Sequence, residues 1–162
     1  MQSIRSLPPT QYHQTPGPSA WSAGQIANHL YLSERLSMAY VHKKMQYPDT
    51  IPPYRPGSWL GVWSIRLASV SPFRFQAPKA IDMRGDQKVM DPGQLDQAWS
   101  QLRMEMITAL TAYSEQVGNR LVYRHPKAGR MTLHQMLLFF KIHLRHHHKQ
   151  LRRTLHTVAR AG

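Results

Sequence analysis

Apolar positions recur every three to four residues in three long segments of the chain, and each segment opens on a recognisable helix start. At the first, Ser22 and Gln25 form an S-x-x-Q capping box, with Trp21 and Ile26 at the two positions of a hydrophobic staple. This helix is predicted to run from Ser22 to about Met45 and to stop before Pro48. At the second, Asp91 reads as an N-cap, Pro92 takes the first helical position and Gln94 completes a box. Its period continues through WSQLRMEMITALTAYSEQV to Gly118, a C-terminal stop. The third opens on Thr132 and Gln135, with Met131 and Met136 as the staple pair, and is expected to reach about Ala159.

Between these segments the pattern is weaker. SWLGVWSIRLASV suits a shorter helix carrying Trp59, Val62 and Trp63 on one side, whereas residues 72–90 hold no period and read as an extended surface connection. Four prolines and Gly17 within residues 1–20 predict an irregular lead-in, so the folded domain is expected over residues 21–162. No strand alternation persists long enough to compete, and no repeat has solenoid spacing. The fold class is all-α.

Composition adds limits. At 162 residues, 41% apolar and 18% charged, the chain suits one globular domain. No apolar run reaches the roughly 18 residues of a membrane span, and the N-terminus lacks the apolar stretch of a signal peptide, so the cytoplasm is the expected location. Without cysteine, a metal site must be built from His, Asp or Glu. The net charge of +13 suits a surface for nucleic acid or another anionic surface, or simply a basic host proteome.

The ten histidines carry the most specific chemistry. At about 100° per residue, His147 lies roughly 40° from His143, His146 about 60° the other way and Gln150 about 20° away, so the four share one helix face. Met136, Phe139 and Phe140 precede them on the same stripe, and Lys141, Arg145, Lys149 and Arg152 fall on the opposite, solvated side. Two imidazoles at i and i+4 can point at one ion. On the first long helix His29 lies on a mostly apolar face with Ile26, Leu32 and Leu36. Alone, His29 would be a core histidine satisfied by a hydrogen bond, and the run at 145–149 a cationic surface; together they bring an inward histidine to face an inward pair. Because ligating imidazoles must be neutral, metal affinity is expected to fall as pH drops through the imidazole range.

Two passages resemble the DinB/YfiT-like superfamily of metal-binding four-helix bundles. WSAGQIANHLYLSERL is similar to its segment in which a Trp-Ser helix start precedes a His-Leu pair, and HLRHHHKQL to its late motif of His, two residues, His-His, two residues, Gln. PFRFQAP also resembles a connection found in many members. The resemblance implies His29, His143 and His147 as metal ligands, with His146 and Gln150 in supporting or packing roles. Members carry a full helix before the Trp-Ser start, whereas only a C-terminal remnant, SIRSLPPTQYHQ, stands here, so most of the first helix is expected to be absent. The open side must then be closed by residues 59–70 or by a second subunit, and a homodimer is expected.

Three protein ligands leave coordination positions open, the pattern of catalytic sites. By resemblance the metal, Zn, Ni or Fe, would activate a low-molecular-weight thiol in an S-transferase, or water in a hydrolase; substrate and general base are not legible. The competing expectation is a basic module binding nucleic acid or anionic surfaces through the last helix, with the metal purely structural. Against it, no aromatic residues are interleaved with that helix's cations.

Overall fold

The computed structural model describes residues 7–70, 79–83 and 88–161. Their element order is α1 (Pro9–His13), α2 (Ala23–Met45), a 3-10 turn (Pro48–Thr50), α3 (Ser58–Val70), a 3-10 turn (Lys79–Ile81), α4 (Pro92–Val117), β1 (Tyr123–His125), β2 (Gly129–Met131) and α5 (Leu133–Ala161). The all-α class holds. α2 packs against α1, α4 and α5, and α3 lies along α5, so α2 and α5 form the central pair. Among the described residues no helix is long and apolar enough to cross a membrane. The expected PFRFQAP connection lies outside the described residues.

Two of the three helix starts form as their sequences dictate. Gln25 N–H donates to Ser22 Oγ at 3.2 Å while Ser22 N–H donates to Gln25 Oε1 at 2.8 Å. The Thr132–Gln135 pair repeats this reciprocity at 3.1 and 3.0 Å, with Met131 and Met136 fully buried beside it. Each closed box satisfies two backbone donors that a helix start otherwise leaves unpaired. The α4 start differs. Asp91 is its N-cap, but no side-chain capping bond forms and Gln94 completes no box. There the fixed φ of Pro92 and the bond from Leu95 N–H to Asp91 C=O (2.9 Å) begin the helix. α4 ends at Gly118, whose φ of 49° suits a residue without Cβ.

The lead-in is more ordered than its prolines suggested. α1 presents Tyr12 to the interior with none of its surface exposed. Its ring lies against Gly24, where an added Cβ would approach within 2.6 Å of Tyr12 Cε1, so glycine permits the contact. The Tyr12 hydroxyl donates to Met90 C=O (2.9 Å) and accepts from Asn28 Nδ2 (3.3 Å), while Asn28 Oδ1 accepts from Met90 N–H (3.1 Å). This network ties the lead-in and the approach to α4 onto the first two turns of α2.

A second departure is the hairpin β1–β2, paired antiparallel with Tyr123 opposite Met131. Gly129 turns it with φ of 78°, and His125 Nδ1 accepts from the N–H groups of Lys127 and Ala128 at 3.2 and 3.0 Å. α3 rests on this turn at Gly61, where a Cβ would lie 2.1 Å from Ala128 C=O.

The main core joins Met38 and Val41 of α2, Val62 of α3, Leu110 of α4 and Met136, Phe139 and Phe140 of α5. Burying each phenylalanine stabilises the bundle by about 2 to 3 kcal/mol. Polar chemistry locks α4 to α2: Trp99 Nε1 donates to buried Glu34 at 2.5 Å, and Arg103 grips the same carboxylate through two nitrogens at 2.9 and 3.2 Å. A buried carboxylate is tolerated only when matched in this way.

Candidate metal centre

The α2 capping box does more than start a helix. Its Gln25 side chain also donates through Nε2 to Met83 C=O at 2.7 Å, which holds residues 81–83 against the first turns of α2. One helical turn on, His29 reaches the same segment, with Nδ1 2.7 Å from Ile81 C=O. A carbonyl oxygen only accepts, so His29 carries its proton on Nδ1 and keeps the Nε2 lone pair free. On α5, His147 Nδ1 lies 2.7 Å from Gln150 Oε1, an arrangement that again leaves Nε2 free. His143 stacks on Phe139 with ring centroids 5.2 Å apart, and its Nε2 lies 3.2 Å from that of His29.

These three side chains converge. One ligand atom from each of His29, His143 and His147 lies within 4.8 Å of the others. Their donor set fits a borderline divalent ion, and hydrogen bonding of the distal nitrogen to a carbonyl or amide oxygen is how metal-ligating imidazoles are oriented. Trp21 covers the cluster, its ring 4.9 Å from that of His29 and 6.3 Å from that of His147.

The electrostatics keep the cluster neutral. Burial, followed by the neighbouring His29, pushes His147 down to about 3. Burial also holds His143 well below the usual imidazole value, with His147 and His29 adding to the effect. His29 is lowered by burial, against the opposing pull of the Ile81 hydrogen bond and the charge of Asp82. Neutral imidazole is the form that binds metal.

The other positions singled out from the sequence divide. Gln150 supports His147 directly. His146 turns away, its Nδ1 donating to Ser69 C=O at 2.9 Å near the end of α3, so it packs two helices together. His148 is exposed and outside the cluster. Several contributors escaped the sequence reading: Trp21 as a cover, the Ile81 carbonyl, Asp82 as the carboxylate whose charge reaches His29, and His125. The last sits edge-on to Phe139 at 4.7 Å, and burial, with Lys127 adding, pushes it down to about 4. Only Trp21 had a local signal, its place in the staple. Glu34 is committed to Trp99 and Arg103.

Fold and site together define a helical bundle with a buried three-histidine cluster of metal-ligand geometry. The family model of the DinB superfamily matches residues 1–151, and the chain belongs to that superfamily. Comparison with curated proteins and with solved structures found no match.

Proposed function

We propose that His29, His143 and His147 bind one divalent first-row metal ion, Zn, Ni or Fe, in an open site, and that the protein is a metal-dependent S-transferase or hydrolase. The observation that carries this reading is the convergence of three imidazole nitrogens within 4.8 Å, with the opposite nitrogen of two of them held by oxygen acceptors. A bound ion supplies Lewis acidity, lowering the pKa of a thiol cofactor or a water at an open position. This chain's own residues supply orientation: Ile81 and Gln150 fix two imidazoles, Phe139 supports the third, and Trp21 excludes water from one side. Glu34 is unavailable as a general base because both of its oxygens are engaged. Among the described residues, Asp82 is a carboxylate whose charge acts on His29.

Metal analysis of protein made without a His tag tests the binding step, with about one ion per chain expected. Alanine at His29, His143 or His147 should remove it and alanine at His148 should not. Equal loss from His148→Ala would refute the assignment. Access to the open positions is tested by cobalt substitution: small thiols should shift the visible spectrum, and an unresponsive spectrum would reduce the site to a structural one.

A further inference from the structure

The cations of α5 are exposed, as the helical angles required, but they do not face open solvent on every side. A groove of about 830 Å³ runs along α5. One wall comes from α3, with Trp59, Val62 and Trp63; the other comes from α2 and α4, with Ile26, Leu30 and Trp99. Lys141, Arg145 and Arg152 lie between these walls. Sequence distance hid this juxtaposition, since the aromatic residues absent from the cationic helix are supplied by its neighbours. The groove also touches His147, so it adjoins the histidine cluster.

Among the described residues Glu34 pairs with Arg103, and none of Lys141, Arg145 and Arg152 is engaged in an ion pair. Arg66, at the α3 wall, lies over the Trp63 ring at 5.4 Å, which extends the cationic rim. Trp63 is 55% and Trp59 37% exposed, so the aromatic wall is open to an incoming molecule. An apolar concavity of this volume with a few convergent charges is the common form of a small-molecule site.

Charge decides among occupants. A second copy would bring its own net +13 against these cations, so the homodimer expected from the sequence fits this groove poorly. A neutral apolar molecule would leave the cations unmatched. We propose that the groove binds a small amphipathic anion, an aliphatic or aryl carboxylate whose apolar body lies between Trp63 and Leu30 and whose carboxylate pairs with Lys141 and Arg145.

The proposal does not rest on the metal reading, and its experiment separates the two. Dodecanoate and the equal-length cation dodecyltrimethylammonium, both below micelle formation, are titrated into the full chain by calorimetry, before and after chelator treatment. Saturable binding of dodecanoate, at least tenfold tighter than the cation in both states, is expected. Lys141→Glu with Arg145→Glu, on exposed side chains that the fold does not use, should weaken dodecanoate binding at least tenfold. Trp63→Ala should weaken both amphiphiles. Equal affinity for the two head groups, or an unchanged affinity in the charge-reversed variant, would overturn the proposal. So would selectivity that vanishes with the metal, which would move the carboxylate onto the ion. Binding of anionic vesicles or oligothymidylate with no saturable binding of monomeric dodecanoate would replace the small anion with a membrane surface or a nucleic acid.

Discussion

Acidification of the metal-free protein from pH 7 to pH 5 should cost it a large part of its stability. In the unfolded chain a histidine titrates near 6.5, whereas in the folded chain His147 titrates near 3 and His125 near 4. The sign follows from proton counting. Below 6.5 the unfolded state takes up a proton that the folded state refuses, so stability is full above 6.5 and falls as pH drops, down to the folded pKa. At pH 5 the unfolded imidazole is 1.5 units below its own value, a loss of about 2 kcal/mol per histidine. His147 and His125 together account for about 4 kcal/mol, and the lowered His29 and His143 act in the same direction. Small domains have only about 5 to 15 kcal/mol in total. Urea unfolding followed by tryptophan fluorescence, with chelator present, measures the difference. His147→Gln should shrink it by about 2 kcal/mol. Equal unfolding free energies at pH 5 and pH 7 would refute the reasoning. The same shifts change the expectation for metal affinity. A folded chain whose His147 stays neutral at pH 5 has little proton competition there at that ligand, so affinity loss through the ordinary imidazole range should reflect unfolding.

Three further outcomes are expected. Binding of Cu²⁺ or Co²⁺ should quench tryptophan emission because Trp21 lies 4.9 Å from His29, and Trp21→Phe should remove most of that quenching; an undiminished response would place the ion elsewhere. Glu34→Ala leaves Trp99 Nε1 and Arg103 without their acceptor and should destabilise by about 3 kcal/mol, the low end for a broken buried pair because Arg103 is partly exposed, as read by thermal or urea unfolding. A homodimer should appear in light scattering as twice 18.7 kDa, and since charge repulsion disfavours a second copy in the cationic groove, Lys141→Glu with Arg145→Glu should leave that mass unchanged.

The legible parts of this structure share one property, locality. Capping boxes at Ser22 and Thr132 close over three residues, and the sharing of one face by His143 and His147 needs only the pitch of a helix. Even so, the Asp91 signal did not form its box, and the helix starts with Pro92 at its first position and no side-chain cap. What escaped depends on contacts across the chain. The acceptor for His29 stands 52 positions away at Ile81, and that of Tyr12 stands 78 away at Met90. The β1–β2 hairpin has strands of three residues, shorter than any window in which alternation can be recognised. Trp59 and Trp63 were placed on one side of a helix, but their position beside Lys141 and Arg145 required the packing of α3 on α5.

How three packed imidazoles respond to a proton is an electrostatic question. A proton arriving on any one of them meets desolvation together with two neighbouring rings, and on His29 the Ile81 hydrogen bond and the charge of Asp82 act against this. A divalent ion would have the opposite preference, since a Lewis acid within reach of all three nitrogens would engage them at once. The site therefore disfavours H⁺, and under the proposed metal reading the same closeness of three nitrogens would favour an ion. Its rigidity comes from ordinary parts of the fold: Gln25 caps a helix and also holds Met83, and that segment presents the Ile81 carbonyl to His29. Breaking the capping box should therefore weaken metal binding as well as the helix. Gln25→Ala is the substitution in which the two losses should appear together, whereas Ser22→Ala, which keeps the Gln25 to Met83 bond, should weaken the helix and spare the metal. Equal effects of the two variants on metal affinity would show that the Met83 contact does not position His29.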